Sequence, residues 1–256
     1  MAAGPIIEVE DLCVARGRAT VLDGYSFGLR TGGVLAVLGS NGVGKTTLLS
    51  TLTRVLPPSR GQVRVDGQIG FVPQLFEVPF SYSVLDIALM GRARHIGLFG
   101  SPRQHDYHIV RQTLALLGIE ALETRAFNTL SGGQRQLVMI AQALASECDL
   151  LVLDEPCAAL DYRNQDVVLD LLARLHGDHG KTIVFSTHIP QHAIEIATDV
   201  LLMAGPKAYR MGPAAEVMSE AYLSDLYGLP IGRAEFSGTD RHTFAPLFRS
   251  VETRRA

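Results

Sequence analysis

The chain has 256 residues, 47% of them apolar and 19% charged, with a formal net charge of -3. That length suits one large domain, or a large one carrying a smaller graft, and the mildly acidic balance gives no general pull toward nucleic acid or an anionic membrane surface. No apolar run nears the roughly 20 residues of a bilayer span; the most hydrophobic stretch, residues 150–153, is bounded by Asp149 and Asp154.

The opening residues lack a basic n-region and meet Glu8, Glu10 and Asp11, unlike a secretory signal. Ile7, Val9, Leu12 and Val14 then read as a strand. Cys13, Cys148 and Cys157 form no CxxC pair and read as reduced thiols. The His residues show no metal-ligand spacing, so no structural metal is expected. Residues 34–38 are a continuous apolar run, as suits a strand buried on both faces.

Directly after that run, Gly39-Ser40-Asn41-Gly42-Val43-Gly44-Lys45-Thr46 fits the phosphate-loop pattern GxxxxGK[ST]. Glycines let the backbone curl around phosphate oxygens without Cβ clashes. The N–H groups at the following helix N-terminus, with its dipole, favour an anion. Lys45 adds a positive charge for the β- and γ-phosphates, the Thr46 hydroxyl can hold Mg²⁺, and Thr47 is a further phosphate donor. The helix after the loop is expected to carry Leu48, Leu49, Leu52, Val55 and Leu56 and to stop at Pro57 and Pro58. A glycine turn with a chance lysine is the bland alternative; the flanking strand and helix argue against it.

Residues 62–72 read as short strands, and from about 76 to 144 helical patterns dominate, as in 84–90 and 109–117, interrupted by Gly97, Gly100 and Pro102. Ser131 in Leu130-Ser131-Gly132-Gly133-Gln134 has N-cap chemistry and precedes a helix with Leu137, Ile140, Ala141 and Leu144 on one face. A capped helix start with two glycines is a second anion site. One nucleotide does not need two from one chain, so this turn makes sense if it meets the γ-phosphate held by a second copy. The run 150–153 ends in Asp154, which can bind Mg²⁺, and Glu155, which can act as general base toward water. A helix over 164–175 with Val168, Leu171, Leu172 and Leu175 on one face, a strand over 182–186, a last strand over 200–203 and a partly helical tail over 214–226 follow. Residues beyond Gly232 read as irregular and mildly basic.

Residues 1 to about 230 resemble an ABC-transporter nucleotide-binding subunit. The phosphate loop, LSGGQ and the Asp154-Glu155 strand stand in that family's order and approximate spacing. The resemblance implies an α/β fold: a P-loop NTPase core (about 1–75 and 146–210) with a mixed sheet and an antiparallel β subdomain. An inserted helical subdomain (about 76–145) and a tail (233–256) complete it. It implies ATP and Mg²⁺ as ligands. Gln74 stands at the Q-loop position, where it can reach Mg²⁺ or the attacking water; Asp161 resembles the D-loop acid; His188 resembles the switch histidine that contacts the γ-phosphate. Arg16 stands where the family carries an adenine-stacking aromatic, and a guanidinium plane can stack on a base. Cys157 replaces the usual Thr and is expected to be a small packed residue.

The stretch after Gln74 resembles importers of iron–siderophore complexes, haem, cobalamin and, in one branch, molybdate or tungstate; the tail around Tyr227-Gly-Leu-Pro-Ile resembles them too. Phe76, Pro79, Phe80 and Tyr82 are expected to face a partner. The implied partners are a second copy of the chain, integral-membrane permease subunits and, indirectly, a substrate-binding protein, with no nucleic acid. The implied place is cytoplasmic, on the inner face of the cell membrane. A soluble ABC ATPase acting on a non-transport partner, and a cassette of an exporter, are the alternatives.

Overall fold

The computed structural model describes residues 4–74, 81–97 and 100–248. In chain order its elements are β1 (Pro5–Arg16), β2 (Ala19–Arg30), β3 (Val34–Leu38), α1 (Lys45–Leu52), β4 (Arg60–Val65), β5 (Ile69–Val72), α2 (Val84–Met90), α3 (Gln104–Leu116), α4 (Gly132–Ala145), β6 (Leu150–Leu153), α5 (Tyr162–Gly177), β7 (Thr182–Thr187), α6 (Pro190–Ile196), β8 (Asp199–Met203), β9 (Tyr209–Pro213), α7 (Ala214–Val217), α8 (Glu220–Tyr227), β10 (Ile231–Glu235) and β11 (His242–Pro246). One unit takes the chain up to Val65 and again from Ser186 onward; the other is Asp66–Phe185.

In the first unit β1 lies between β2 and β4, antiparallel to both. Ile7, Val9, Leu12 and Val14 are all buried. Their alternation changes phase because Asp11 sits at φ 45 and the register with β2 shifts between Val9 and Leu12. A bulge of this kind turns even-numbered side chains onto the face that odd-numbered ones had occupied. β3 is buried along its whole length and runs parallel to β8, which pairs antiparallel with β9. The sheet is therefore mixed.

Three sequence expectations need correcting in this unit. The phosphate-loop helix stops at Leu52 rather than at the prolines. Arg54 takes φ 62, the N–H groups of Val55 and Leu56 both return to the Ser50 carbonyl, and Val55 is left 74% exposed. The strand over 200–203 is not the last one: β9 follows it. Residues beyond Gly232 are not irregular throughout, because β10 and β11 form an antiparallel hairpin pairing Ile231 with Pro246 and Glu235 with His242. Only Ile231 and Phe244 of the hairpin are buried, so no apolar alternation marks it in the sequence.

In the second unit β5, β6 and β7 run parallel in that order. α5 buries Val168, Leu171, Leu172 and Leu175, the face expected of it. α2 begins in a capping box, with the Asp86 N–H donating to Ser83 Oγ (3.1 Å) and the Ser83 N–H to Asp86 Oδ2 (2.9 Å). α3 starts at Gln104, a full turn before the pattern around Ile109. Of the expected partner-facing residues, Phe76, Pro79 and Phe80 lie outside the described residues, as does the tail from 249 on; Tyr82 is half-buried.

Arg92 ties the helices of this unit together. Its side chain is 3% exposed, with Nε 3.1 Å from Asp106 Oδ1 and Nη1 2.6 Å from Glu147 Oε2 and 2.8 Å from the Ala145 carbonyl. The Arg103 N–H and then the Arg92 guanidinium hold the Asp106 carboxyl below its usual range, and Arg92 does the same for Glu147. A carboxylate whose folded pKa is depressed adds stability above its unfolded value, about 4, and loses it as pH falls through the folded value. Thermal unfolding from pH 7 to 3 should therefore show a falling midpoint at the acid end. Arg92→Met should unfold at lower temperature at pH 7 yet lose less on acidification; equal acid slopes in the two proteins would remove Arg92 as the cause.

Candidate functional site

The phosphate loop joins β3 to α1 within the first unit. Lys45 is 6% exposed, and its Nζ donates back to the Gly39 carbonyl (2.9 Å) and the Ser40 carbonyl (3.2 Å). The ammonium is thus held at the centre of the loop that precedes it. Gly44 is the helix N-cap at φ 113, and a Cβ there would lie 2.6 Å from Val21 Cγ1. Backbone conformation and space both require glycine. No side chain caps α1 and no acid sits in its first turn, so the helix presents the positive end of its dipole to the loop. Thr46 is exposed at the loop mouth and Thr47 is buried. A lysine, a helix N-terminus and hydroxyls around a glycine turn are the donor set of a polyphosphate site.

Two further expected residues belong to this unit. Arg16 ends β1, exposed, and pairs with Ala19 across a tight turn. β2 runs on from that turn to Val21, the residue against Gly44, so the turn carrying Arg16 flanks the loop. His188 follows β7. The carbonyl of Thr187, one residue earlier, accepts the Gly39 N–H at 3.4 Å. Thr187 Oγ1 accepts the Ile189 N–H (3.1 Å) and lies 3.0 Å from Nδ1 of buried His192. His188, the expected switch residue, therefore follows a residue bonded to the first glycine of the phosphate loop.

The second unit carries the acids and the other glycine turn. Asp154 (3% exposed) and Glu155 (9% exposed) directly follow β6. The Asp154 N–H donates to the Val72 carbonyl at 2.9 Å, locking this strand end to the end of β5, and exposed Gln74 follows two residues after Val72. Glu155 has φ 50 and Ala159 φ 60. Left-handed non-glycine residues cost about 1–3 kcal/mol each and persist where the surroundings over-determine them. Cys157 is buried between them, and burial, then the Glu155 charge, pushes its thiol up to about 12. It is a packed neutral thiol, as expected.

Ser131 caps α4 through a reciprocal box: the Gln134 N–H donates to Ser131 Oγ (3.3 Å) and the Ser131 N–H to Gln134 Oε1 (3.1 Å). Leu137, Ile140, Ala141 and Leu144 are buried on the expected face. A Cβ on Gly133 would sit 2.3 Å from Asn164 Oδ1, so the turn closes directly on the start of α5. Asp161 caps α5, its Oδ1 accepting the N–H and Nδ2 of Asn164, both at 2.8 Å. Ser131, Gly132 and Asp161 are exposed. The fold thus brings Asp161 and the Ser131–Gln134 turn together through Asn164, a residue that no sequence pattern singled out.

Residues 22–158 match the ABC transporter family. The chain is similar to the molybdate import ATP-binding protein MolC of Haemophilus influenzae, 44% identical over 228 residues covering 88% of this chain and 90% of that protein. It is also similar to the hemin import ATP-binding protein HmuV of Thermobifida fusca, 36% identical over 88% of this chain and 83% of that one. Among solved structures it is similar to a metal-chelate type ABC transporter in an inward-facing conformation, with a TM-score of 0.92 and 42% identity over 96% of this chain and 99% of that chain.

Proposed function

Since the chain belongs to the ABC transporter family, we propose that it is the ATP-hydrolysing subunit of an importer whose membrane-crossing part lies on other chains, with molybdate or a related oxyanion as cargo. Buried Lys45, bonded to two loop carbonyls at the open end of α1, is the observation that carries the ATPase reading. The cargo rests on the 44% identity with the molybdate import protein; a metal chelate is the second reading, favoured by the 36% relative.

In this reading Lys45 and the backbone N–H groups of 39–47 bind the β- and γ-phosphates, and Arg16 lies against the base. Thr46, Asp154 and Gln74 supply oxygen ligands, a donor set that suits a hard cation such as Mg²⁺. The ion would neutralise charge on the phosphate oxygens. Glu155 takes the proton of the attacking water, and His188 meets the γ-phosphate. Ser131, Gly132, Gly133, Gln134 and Asp161 engage the nucleotide held by a second copy, in a two-fold dimer. A ligand shifts an equilibrium only by its differential affinity for the two states. ATP bridging two copies favours the closed dimer, and cleavage removes the bridge.

Among the described residues no helix is long and apolar enough to cross a membrane. An importer subunit of this kind meets its permease through a docking surface at the inner face of the membrane. A cleft of about 510 Å³ in the second unit supports one: Tyr82, Leu89, Met90, Ala93, Ile96 and Tyr107 line it. Met90, 38% exposed, offers an adaptable apolar contact. Met90→Asp should leave the ATPase rate of the isolated subunit unchanged. It should weaken co-purification with the permease about tenfold or more, as loss of a central apolar anchor does. Unchanged capture of the permease would move the docking surface elsewhere, and a soluble, non-transport role would then lead.

A further inference from the structure

We propose that Tyr227 is a positioning residue for the switch histidine, and so makes the C-terminal segment part of the hydrolytic machinery. Tyr227 Oη donates to the His188 carbonyl at 2.8 Å across 39 residues of chain. Nothing in the nucleotide reading uses this contact.

The tyrosine stands on a braced platform. It is the last residue of α8, whose Leu223 and Leu226 are buried. Gly228, at φ 66, ends the helix with its N–H on the Ser224 carbonyl (2.9 Å). Beyond it the chain is tied back to α8: the Ile231 N–H donates to Ser224 Oγ (2.9 Å) and the Arg233 N–H to Glu220 Oε1 (2.5 Å). The Leu247 N–H donates to the Pro230 carbonyl at 2.8 Å, adding the end of the hairpin to the platform. A second route reaches the same switch. Arg241 pairs with Glu195 of α6 at 2.6 Å, and His192 of α6 lies 3.0 Å from Thr187 Oγ1.

The position of the bond matters more than its strength. A half-buried tyrosine hydroxyl takes some partner, and many carbonyls would satisfy it. This one belongs to the residue whose imidazole must meet the γ-phosphate. The preceding peptide is fixed to Gly39 through Thr187, and the following one to Thr187 Oγ1 through Ile189. Tyr227 holds the other end of that following peptide, whose carbonyl belongs to His188 and whose N–H belongs to Ile189. With both flanking peptides held, the His188 backbone is restrained, and the side chain starts from one place. Catalysis is sensitive to displacements of about 1 Å at groups that position the reactants.

The inference rests on His188 serving hydrolysis as proposed above, and the test separates the two. Tyr227→Phe, which deletes the hydroxyl and keeps the ring, is compared with His188→Ala and with the double variant. Each is measured for kcat, KM for ATP, unfolding temperature and amide exchange at Ile189. Loss of one hydrogen bond worth about 0.5–1.5 kcal/mol predicts a kcat about 2- to 12-fold lower for Tyr227→Phe. KM should hold, the unfolding temperature should fall only by the few degrees that one hydrogen bond allows, Ile189 should exchange faster, and the change should have no further effect on kcat in the His188→Ala background. Unchanged kcat in Tyr227→Phe alongside a large loss in His188→Ala overturns the proposal. So does a shift of KM that matches the loss of kcat, which marks a bond that shapes the whole site rather than the switch. Should His188→Ala keep full activity, the switch assignment fails on its own. The Ile189 exchange rate then decides the tether: faster in Tyr227→Phe supports it, unchanged rejects it.

Discussion

Glu155→Gln should bind ATP as the parent protein does and turn it over about 10²-fold or more slowly, the usual scale of a lost general base. The substitution keeps the shape of the side chain and removes only its capacity to accept a proton. The site is suited to that comparison. Glu155 is 9% exposed and lies two residues beyond a strand that is buried along its length. Its backbone is held at φ 50, and the Ala158 N–H closes back on its carbonyl at 3.0 Å. Because the backbone already dictates where the side chain leaves the strand, glutamine should occupy the same place. Phosphate release measures turnover and equilibrium binding of labelled ATP measures affinity. Hydrolysis near the parent rate would take the base role away from Glu155, and a matching loss of affinity would mean that the site had been deformed.

Lys45→Ala should act on binding itself, lowering ATP affinity about 10²-fold. Two consequences add. The γ- and β-phosphates lose a positive charge, and the carbonyls of Gly39 and Ser40 lose the donor now at 2.9 and 3.2 Å. Hydrogen bonds to charged groups are worth about 1.5–3 kcal/mol each, and tenfold in affinity is about 1.4 kcal/mol, so the expected loss corresponds to about one or two such bonds. AMP, which lacks the distal phosphates, should lose far less than ATP. Equal losses for AMP and ATP would place the ammonium's effect on the fold of the loop rather than on phosphate.

The parts of the fold that sequence made legible are those whose reason is local. Residues 34–38 and 150–153 are continuous apolar runs because both their faces are buried. Ser131 reads as a cap because the chemistry lies three residues away, in Gln134. The strand β2 was missed: only Leu22, Tyr25 and Leu29 are fully buried along it, and Gly24 and Gly28 interrupt the alternation. The hairpin of β10 and β11 was missed because only Ile231 and Phe244 of it are buried. α6 begins at Pro190, a residue favoured in the first turn, but is too short to show a period. In the site, the glycine loop, Asp154, Glu155 and Asp161 were legible as motifs. Val21 against Gly44, Asn164 against Gly133 and Tyr227 on His188 were not. Each joins segments far apart in sequence, and neither composition nor spacing encodes such a meeting.

The most direct test of the account is cargo uptake by proteoliposomes that hold this chain with its permease. With the cargo-binding protein and molybdate outside and ATP inside, the account predicts accumulation that requires ATP. Accumulation should vanish when Glu155→Gln replaces the parent chain. Uptake that proceeds equally with Glu155→Gln, or a chain that hydrolyses ATP yet drives no molybdate or metal-chelate uptake in any such complex, would contradict it.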